Sequence, residues 1–168
     1  TVELSLSKEE IEKLRSFLVE ARTKYDIVIV DAYWDEDGNG LCPAASGLSH
    51  HINASGDIEP CPVIQFAADN VEDGKLTDIY RNSTFLKEFK TEIPNKTKGC
   101  IVMDDPQWLV DYTEKHAARD TSGRGNEAAR LSAMQKVPSH GSIKAIPEKN
   151  RFYRFAKKRA FFGLGAYG

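Results

Sequence analysis

No stretch of this sequence approaches the roughly 18 consecutive apolar residues of a membrane-spanning helix, and neither sign of charge dominates it. Among 168 residues, 23 Lys and Arg stand against 25 Asp and Glu, a formal net charge of -2. That balance removes any blanket electrostatic case for nucleic acid or a membrane surface. No repeat or low-complexity tract interrupts the chain, and 40% hydrophobic with 29% charged residues suits one globular domain with room for an appendage. Cysteine is scarce. Cys42, Cys61 and Cys100 form an odd, widely spaced set that argues against a disulfide framework and for free thiols or metal ligation in a reducing compartment, with the cytoplasm as the default. The start, Thr1-Val2-Glu3-Leu4, carries neither an initiator methionine nor a signal pattern and reads as a processed product or an excised piece. Without a signal, the sequons at Asn53, Asn82 and Asn95 have little weight.

The local patterns predict an α+β fold with an N-terminal helix and strand, a cysteine-flanked β-hairpin and several packed helices. Ser7-Lys8-Glu9-Glu10 is a capping box, and Ile11, Leu14, Leu18, Ala21 and Tyr25 follow at helical spacing. Ile27 to Tyr33 is an unbroken β-branched run, suited to a strand covered on both faces. A short strand is expected over Leu48 to Asn53, a turn over Ala54 to Asp57 with Gly56 free to take positive φ, and a return strand through Cys61. Pro60 lacks an N–H, which predicts an edge or a bulge there. Beyond Pro62 the chain reads as mainly helical: a helix capped by Asn82 or Ser83, another capped by Asp105 and started by Pro106, a third over Glu127 to Lys136, and a last one from Pro147 that Gly163 closes. Three regions follow from this: 1–38 as a helix-strand unit, 39–110 as the cysteine-bearing region, and 111–168 as a helical extension.

The chemistry is concentrated at the cysteines. Thirteen residues separate Cys42 from Gly56 and four separate Gly56 from Cys61, so the glycine lies in the predicted turn between two sulfurs. Cys100 arrives 39 positions after Cys61. Thiolates converging from separate segments suit a zinc ion or an iron–sulfur cluster, whose metals favour sulfur.

The run from Gly47 to Pro62, Gly-Leu-Ser-His-His-Ile-Asn-Ala-Ser-Gly-Asp-Ile-Glu-Pro-Cys-Pro, preceded by Cys42, resembles the opening of the SPASM and related twitch domains at the C-terminus of radical S-adenosylmethionine enzymes. Lys75 to Tyr80 and Ser83 to Phe89 look like the helical stretch that follows in that family, and the likeness covers about residues 40 to 105. The resemblance implies an auxiliary four-iron four-sulfur cluster ligated by Cys42 and Cys61, with Cys100 as third ligand. The chain lacks the further cysteines of a full SPASM domain, so the single-cluster twitch type is nearer. The fourth ligand would be Asp104, Asp105, His50 or His51, or the iron is open to substrate or solvent. No CxxxCxxC motif is present, so S-adenosylmethionine would enter only through an upstream catalytic domain, which is the expected partner. On this reading residues 1–38 end that domain's partial barrel, and the chain alone performs no radical chemistry on its unknown substrate.

Plainer readings accompany these. The alternative function is a zinc-bound or metal-free interaction domain whose last helix binds a partner, because Lys149, Arg151, Arg154, Lys157, Lys158 and Arg159 are interleaved there with aromatic residues. Phe152, Phe155, Ala156, Arg159 and Phe162 nevertheless share one helical stripe, which favours docking onto a core with the charges solvated. Ser49 beside His50 has no GxSxG elbow around it, and the loop from Asp120 to Gly125 lacks the Gly-Lys-Ser/Thr ending of a P-loop.

Overall fold

The structure is a computed structural model that describes residues 4–31, 33–47 and 49–161. About 49% of it is helical and 10% is strand, in small antiparallel sheets with several packed helices, an α+β fold. Helix α1 (Lys8–Lys24) starts on the capping box: the Ser7 hydroxyl accepts from Glu10 N–H, and Ser7 N–H donates to the Glu10 carboxylate at 2.8 Å. Its buried face differs from the expected stripe. Ile11, Val19 and Ala21 are buried together with Arg15 and Arg22, whereas Leu14 and Tyr25 are exposed.

The arginines are inside because their partners are. Arg22 donates to Asp31 and, at 2.6 Å, to Glu148; Arg15 lies 3.4 Å from Asp31 and 3.5 Å from Glu148; Lys157 donates to Asp31 at 2.8 Å. All five side chains are at most 6% exposed. Trp34 and Tyr153 face the Arg15 and Arg22 guanidinium groups at 5.3 and 4.7 Å, a contact that suits delocalised cations taken out of water.

Among its described residues, the stretch from Ile27 to Tyr33 does not form the expected strand. Ile27, Val28, Val30 and Tyr33 are exposed, and the one ladder contact nearby among the described residues is a bridge between Trp34 and Gly40. A strand needs a neighbouring backbone to exchange hydrogen bonds with. Here the Tyr153 hydroxyl and the Arg22 guanidinium take the Ile29 N–H and carbonyl instead.

The hairpin pairs β1 (His51–Ile52) with β2 (Asp57–Glu59), with Ile52 opposite Ile58. Leu48 lies outside the described residues. Asn53 Oδ1 accepts from the N–H groups of Ser55 and Asp57, and Gly56 takes φ 81°, where a side chain would be strained. Two further pairs were not legible in the sequence: β3 (Phe66–Ala67) with β5 (Arg119–Asp120), and β4 (Asp69–Asn70) with β2. That second pair makes β2 the central strand of its sheet, which corrects the edge or bulge inferred from Pro60. The proline lies just past the paired residues, so its missing N–H costs the ladder nothing.

Short helices close over these strands. They are α2 (Pro43–Ser46), α3 (Leu76–Asn82), α4 (Thr84–Glu92), α5 (Ile101–Asp104), α6 (Pro106–Lys115) and α7 (Glu127–Ser132). Ser83 caps α4 by accepting from Leu86 N–H. Phe85, Leu86 and Phe89 of α4 then join Ile58, Ile64, Ile93, Ile101, Leu109 and Tyr112 in the main core. Asp105 precedes α6 as expected but forms no side-chain cap; its carboxylate is turned to Lys136 at 2.7 Å.

The last helix, α8 (Arg151–Ala156), is capped by Asn150 and begins later than Pro147 suggested. The docked face differs too. Tyr153, Ala156 and Lys157 are buried, while Phe152 and Phe155 are 68% and 64% exposed, because Tyr153 reaches Ile29 and Lys157 reaches Asp31. Phe162, the closing Gly163 and the tail to Gly168 lie outside the described residues.

Candidate metal centre

Each cysteine heads a turn, and the three turns are alike. Cys42 precedes α2 and Cys100 precedes α5, while the Cys61 carbonyl accepts from Ile64 N–H at 3.0 Å. The backbone N–H groups two and three residues on interact with each sulfur: Ala44 and Ala45 with Cys42, Val63 and Ile64 with Cys61, Val102 and Met103 with Cys100. Successive backbone N–H groups of this kind make concavities that favour an anion, thiolate included. The turns come together because an apolar residue just after each cysteine is buried in the same core: Ala44 and Ala45, Ile64, and Ile101.

The thiols sense one another. Burial pushes all three upward, and Cys61 reaches about 12, with the Cys100 and Cys42 charges adding to desolvation. None is in a disulfide. A group that binds thiolates must release these protons, so its uptake gains as pH rises. Among the described residues, no three His, Cys, Asp or Glu side chains converge as single-ion ligands. A cluster of several irons spreads its cysteines further apart, and hydrogen bonds to the sulfurs are one of the protein's levers on it. Three cysteines are of the donor type such a cluster takes.

The residues considered for a fourth ligand are mostly engaged. Asp104 accepts from Thr97, from Ser139 at 2.8 Å and from Ser142 at 3.4 Å. Asp105 pairs with Lys136, and His51 Nδ1 lies 2.6 Å from Glu59 across the hairpin. His50 stacks on Tyr80 at 5.2 Å, and burial holds its pKa below the ordinary value. Its Nδ1 is buried and without a partner. Asn53 and Asp57, within the run that carries the family resemblance, build the hairpin: Asn53 Nδ2 donates to Asp57 and Glu59, and Asn70 and Arg119 donate to Asp57.

Two supports of Cys100 went unnoticed in the sequence. The Ser139 hydroxyl accepts from Cys100 N–H at 3.2 Å while donating to Asp104, and Gly99 lies against Gly141. The paired glycines were the available signal, but their contact spans two distant segments. A Cβ on Gly99 would fall 1.8 Å from Ser139 Oγ and 2.8 Å from Gly141 N. Gly99→Ala is therefore expected to destabilise the chain by about 1–3 kcal/mol, as overpacking does, read as a lower urea midpoint with an unchanged slope.

Beside Cys42 opens a cleft of about 280 Å³, lined also by Leu41, Ala45, Pro94 and Lys98. Among the described residues no helix is long and apolar enough to cross a membrane. Comparison with protein-family models, with curated proteins and with solved structures finds no match for the chain.

Proposed function

We propose that Cys42, Cys61 and Cys100 hold an iron–sulfur cluster of the four-iron four-sulfur kind, and that the chain is the SPASM- or twitch-like auxiliary module of a radical S-adenosylmethionine enzyme. The observation that supports this reading is the threefold repetition at the cysteines: each stands at the start of a turn whose backbone N–H groups favour its thiolate, and each turn packs against one core. When bound, such a cluster supplies one-electron transfer or, at an iron without a protein ligand, a Lewis-acidic position for a substrate atom. The chain's own part is to present three thiolates, to shield them in the half-buried space between α2, α5 and the hairpin, and to leave a cleft beside Cys42. Because Asp104, Asp105 and His51 are held by the fold, an open fourth position or His50 fits better than any of them. On this reading the catalytic domain that would bind S-adenosylmethionine lies upstream. Tyr25, Ile27 and Val28, 58%, 62% and 78% exposed, support a partner there. A reducing, cytoplasmic setting accords with three unpaired thiols.

Iron, acid-labile sulfide and zinc, measured on anaerobically purified and reconstituted chain, test the proposal. About four iron and four sulfide per chain are expected, with a broad absorbance near about 400 nm that dithionite bleaches. One zinc without sulfide, or no metal after reconstitution, would replace the cluster module by the interaction-domain reading, for which the exposed Phe152 and Phe155 are the favourable observation.

A further inference from the structure

Beyond α1 the chain runs without turn or bend from Val28 to Asp31. In an extended chain the N–H and C=O of one residue point to one side and those of the next residue to the other, so a bonded residue fixes the direction of its neighbours. Ile29 is bonded inward through both groups: its N–H donates to the Tyr153 hydroxyl at 2.8 Å, and its carbonyl accepts from Arg22 at 3.0 Å. The N–H and C=O groups of Val28 and Val30 therefore face away from α1 and α8. Among the described residues none of these outward groups has a hydrogen-bond partner. The next side chain, Asp31, is anchored by Arg22 and Lys157, which holds the run in this attitude. Such a row is a strand edge, and native proteins blunt free edges with lysine, proline or a bulge. This edge has none of these defences. Between Ile27 and Tyr33 the one charged residue is the buried Asp31, and neither proline nor glycine occurs. Ile27, Val28, Val30 and Tyr33 are exposed, and Leu14 and Phe17 carry exposed apolar surface along α1 toward Tyr25. Apolar side chains beside unbonded backbone groups suit an added strand rather than a helix or a small ligand.

We propose that the edge from Val28 to Val30 pairs antiparallel with the same edge of a second copy of the chain, making a two-fold dimer centred on Ile29. A two-fold interface brings residue i onto j and j onto i. With Ile29 on the axis, Val28 of each copy meets Val30 of the other, and these are the two residues whose backbone groups face outward. An antiparallel pair exchanges both bonds at such positions, so the register closes with no outward group left over. The edge is thus its own complement. The inference makes no use of the cysteines, and its test needs no metal, so it stands or falls separately from the cluster.

The experiment is sedimentation velocity of the full chain over a wide range of concentration, with amide hydrogen exchange measured at both ends of that range. A monomer–dimer equilibrium is expected, in which the Val28 and Val30 amides exchange more slowly at high concentration while the Ile29 amide, bonded within its own copy, does not change. Two double variants read the register, and both keep every backbone N–H and alter only exposed side chains. Val28→Lys with Val30→Lys sets like charges opposite each other and should raise the dimer dissociation constant about tenfold or more. Val28→Lys with Val30→Glu sets opposite charges at the same places and should stay within about threefold of wild type. Far-ultraviolet circular dichroism checks that each variant is folded. A chain that stays monomeric throughout leaves the edge to a different partner, such as an upstream domain, and overturns the pairing. A dimer that both double variants weaken equally, or that neither weakens, overturns it as well.

Discussion

Asp31→Asn is expected to lower the stability of the folded chain by roughly 3–5 kcal/mol, the cost of removing one partner from a buried ion cluster. Asp31 is the carboxylate on which Arg15, Arg22 and Lys157 meet, and the side chains of all four are at most 6% exposed. Without its charge, Glu148 would be the buried carboxylate left beside Arg15 and Arg22. Pairs on the surface behave differently: Lys24 with Glu20, both more than half exposed, should contribute well under about 1 kcal/mol. The Asp31 cluster also ties α1 to α8, so its loss should loosen both helices together.

The same residue gives the acid limb of stability a definite sign. Burial by itself would raise the Asp31 pKa, but hydrogen bonds and charge from Lys157 and Arg22 outweigh it, and the folded value lies below the ordinary one. A carboxylate depressed in the folded state contributes stability fully above its unfolded pKa, about 3.9, and loses it as pH falls through the folded value. Urea unfolding of wild type and Asp31→Asn should therefore differ most near neutrality and converge in acid. A gap below about 1 kcal/mol at pH 7 would refute the account of the cluster.

Cys61→Ala is expected to abolish iron and sulfide retention while leaving the helices in place. Among the cysteines, Cys61 feels the charges of both others, and the glutamate two positions before it anchors the hairpin through His51, Asn53 and Thr121. Removing its sulfur leaves two thiols on separate turns. His51→Ala is the matched control, since His51 bonds Glu59 and not a sulfur; it should keep its iron and alter the reduction behaviour at most. Iron and sulfide per chain, with far-ultraviolet circular dichroism on the same samples, check this. Full retention by Cys61→Ala would remove the cluster proposal.

Where a feature depended on neighbours within a few residues, it could be read directly. The Ser7 and Ser83 caps, the proline opening α6 and the Asn53–Gly56 turn are all closed by hydrogen bonds or backbone preferences spanning four residues or fewer. The cysteine spacing around Gly56 likewise followed from that turn. Misreadings arose where a long-range partner decided the outcome. The apolar run after α1 resembled a buried strand, yet what flanks it is Tyr153 and Arg22. Helical periodicity placed Leu14 on the apolar stripe; instead Leu14 is exposed and Arg15 is buried, because Asp31 and Glu148 are inside. Asp104 resembled a free ligand until Ser139 and Ser142, 35 and 38 positions away, were found bonded to it.

By itself, then, the sequence determined the Ser7 and Ser83 caps, the hairpin, the α+β class and the three cysteines as the residues to watch, because local hydrogen bonding and chain stiffness act over a few residues. Only the tertiary structure decided which face of α1 is buried, that a buried ion cluster joins α1 to the residues flanking α8, that three unlike segments form three like turns, and which side chains near the thiols remain free. Those outcomes depend on desolvation and on partners tens of residues apart, and no periodicity along the chain records either.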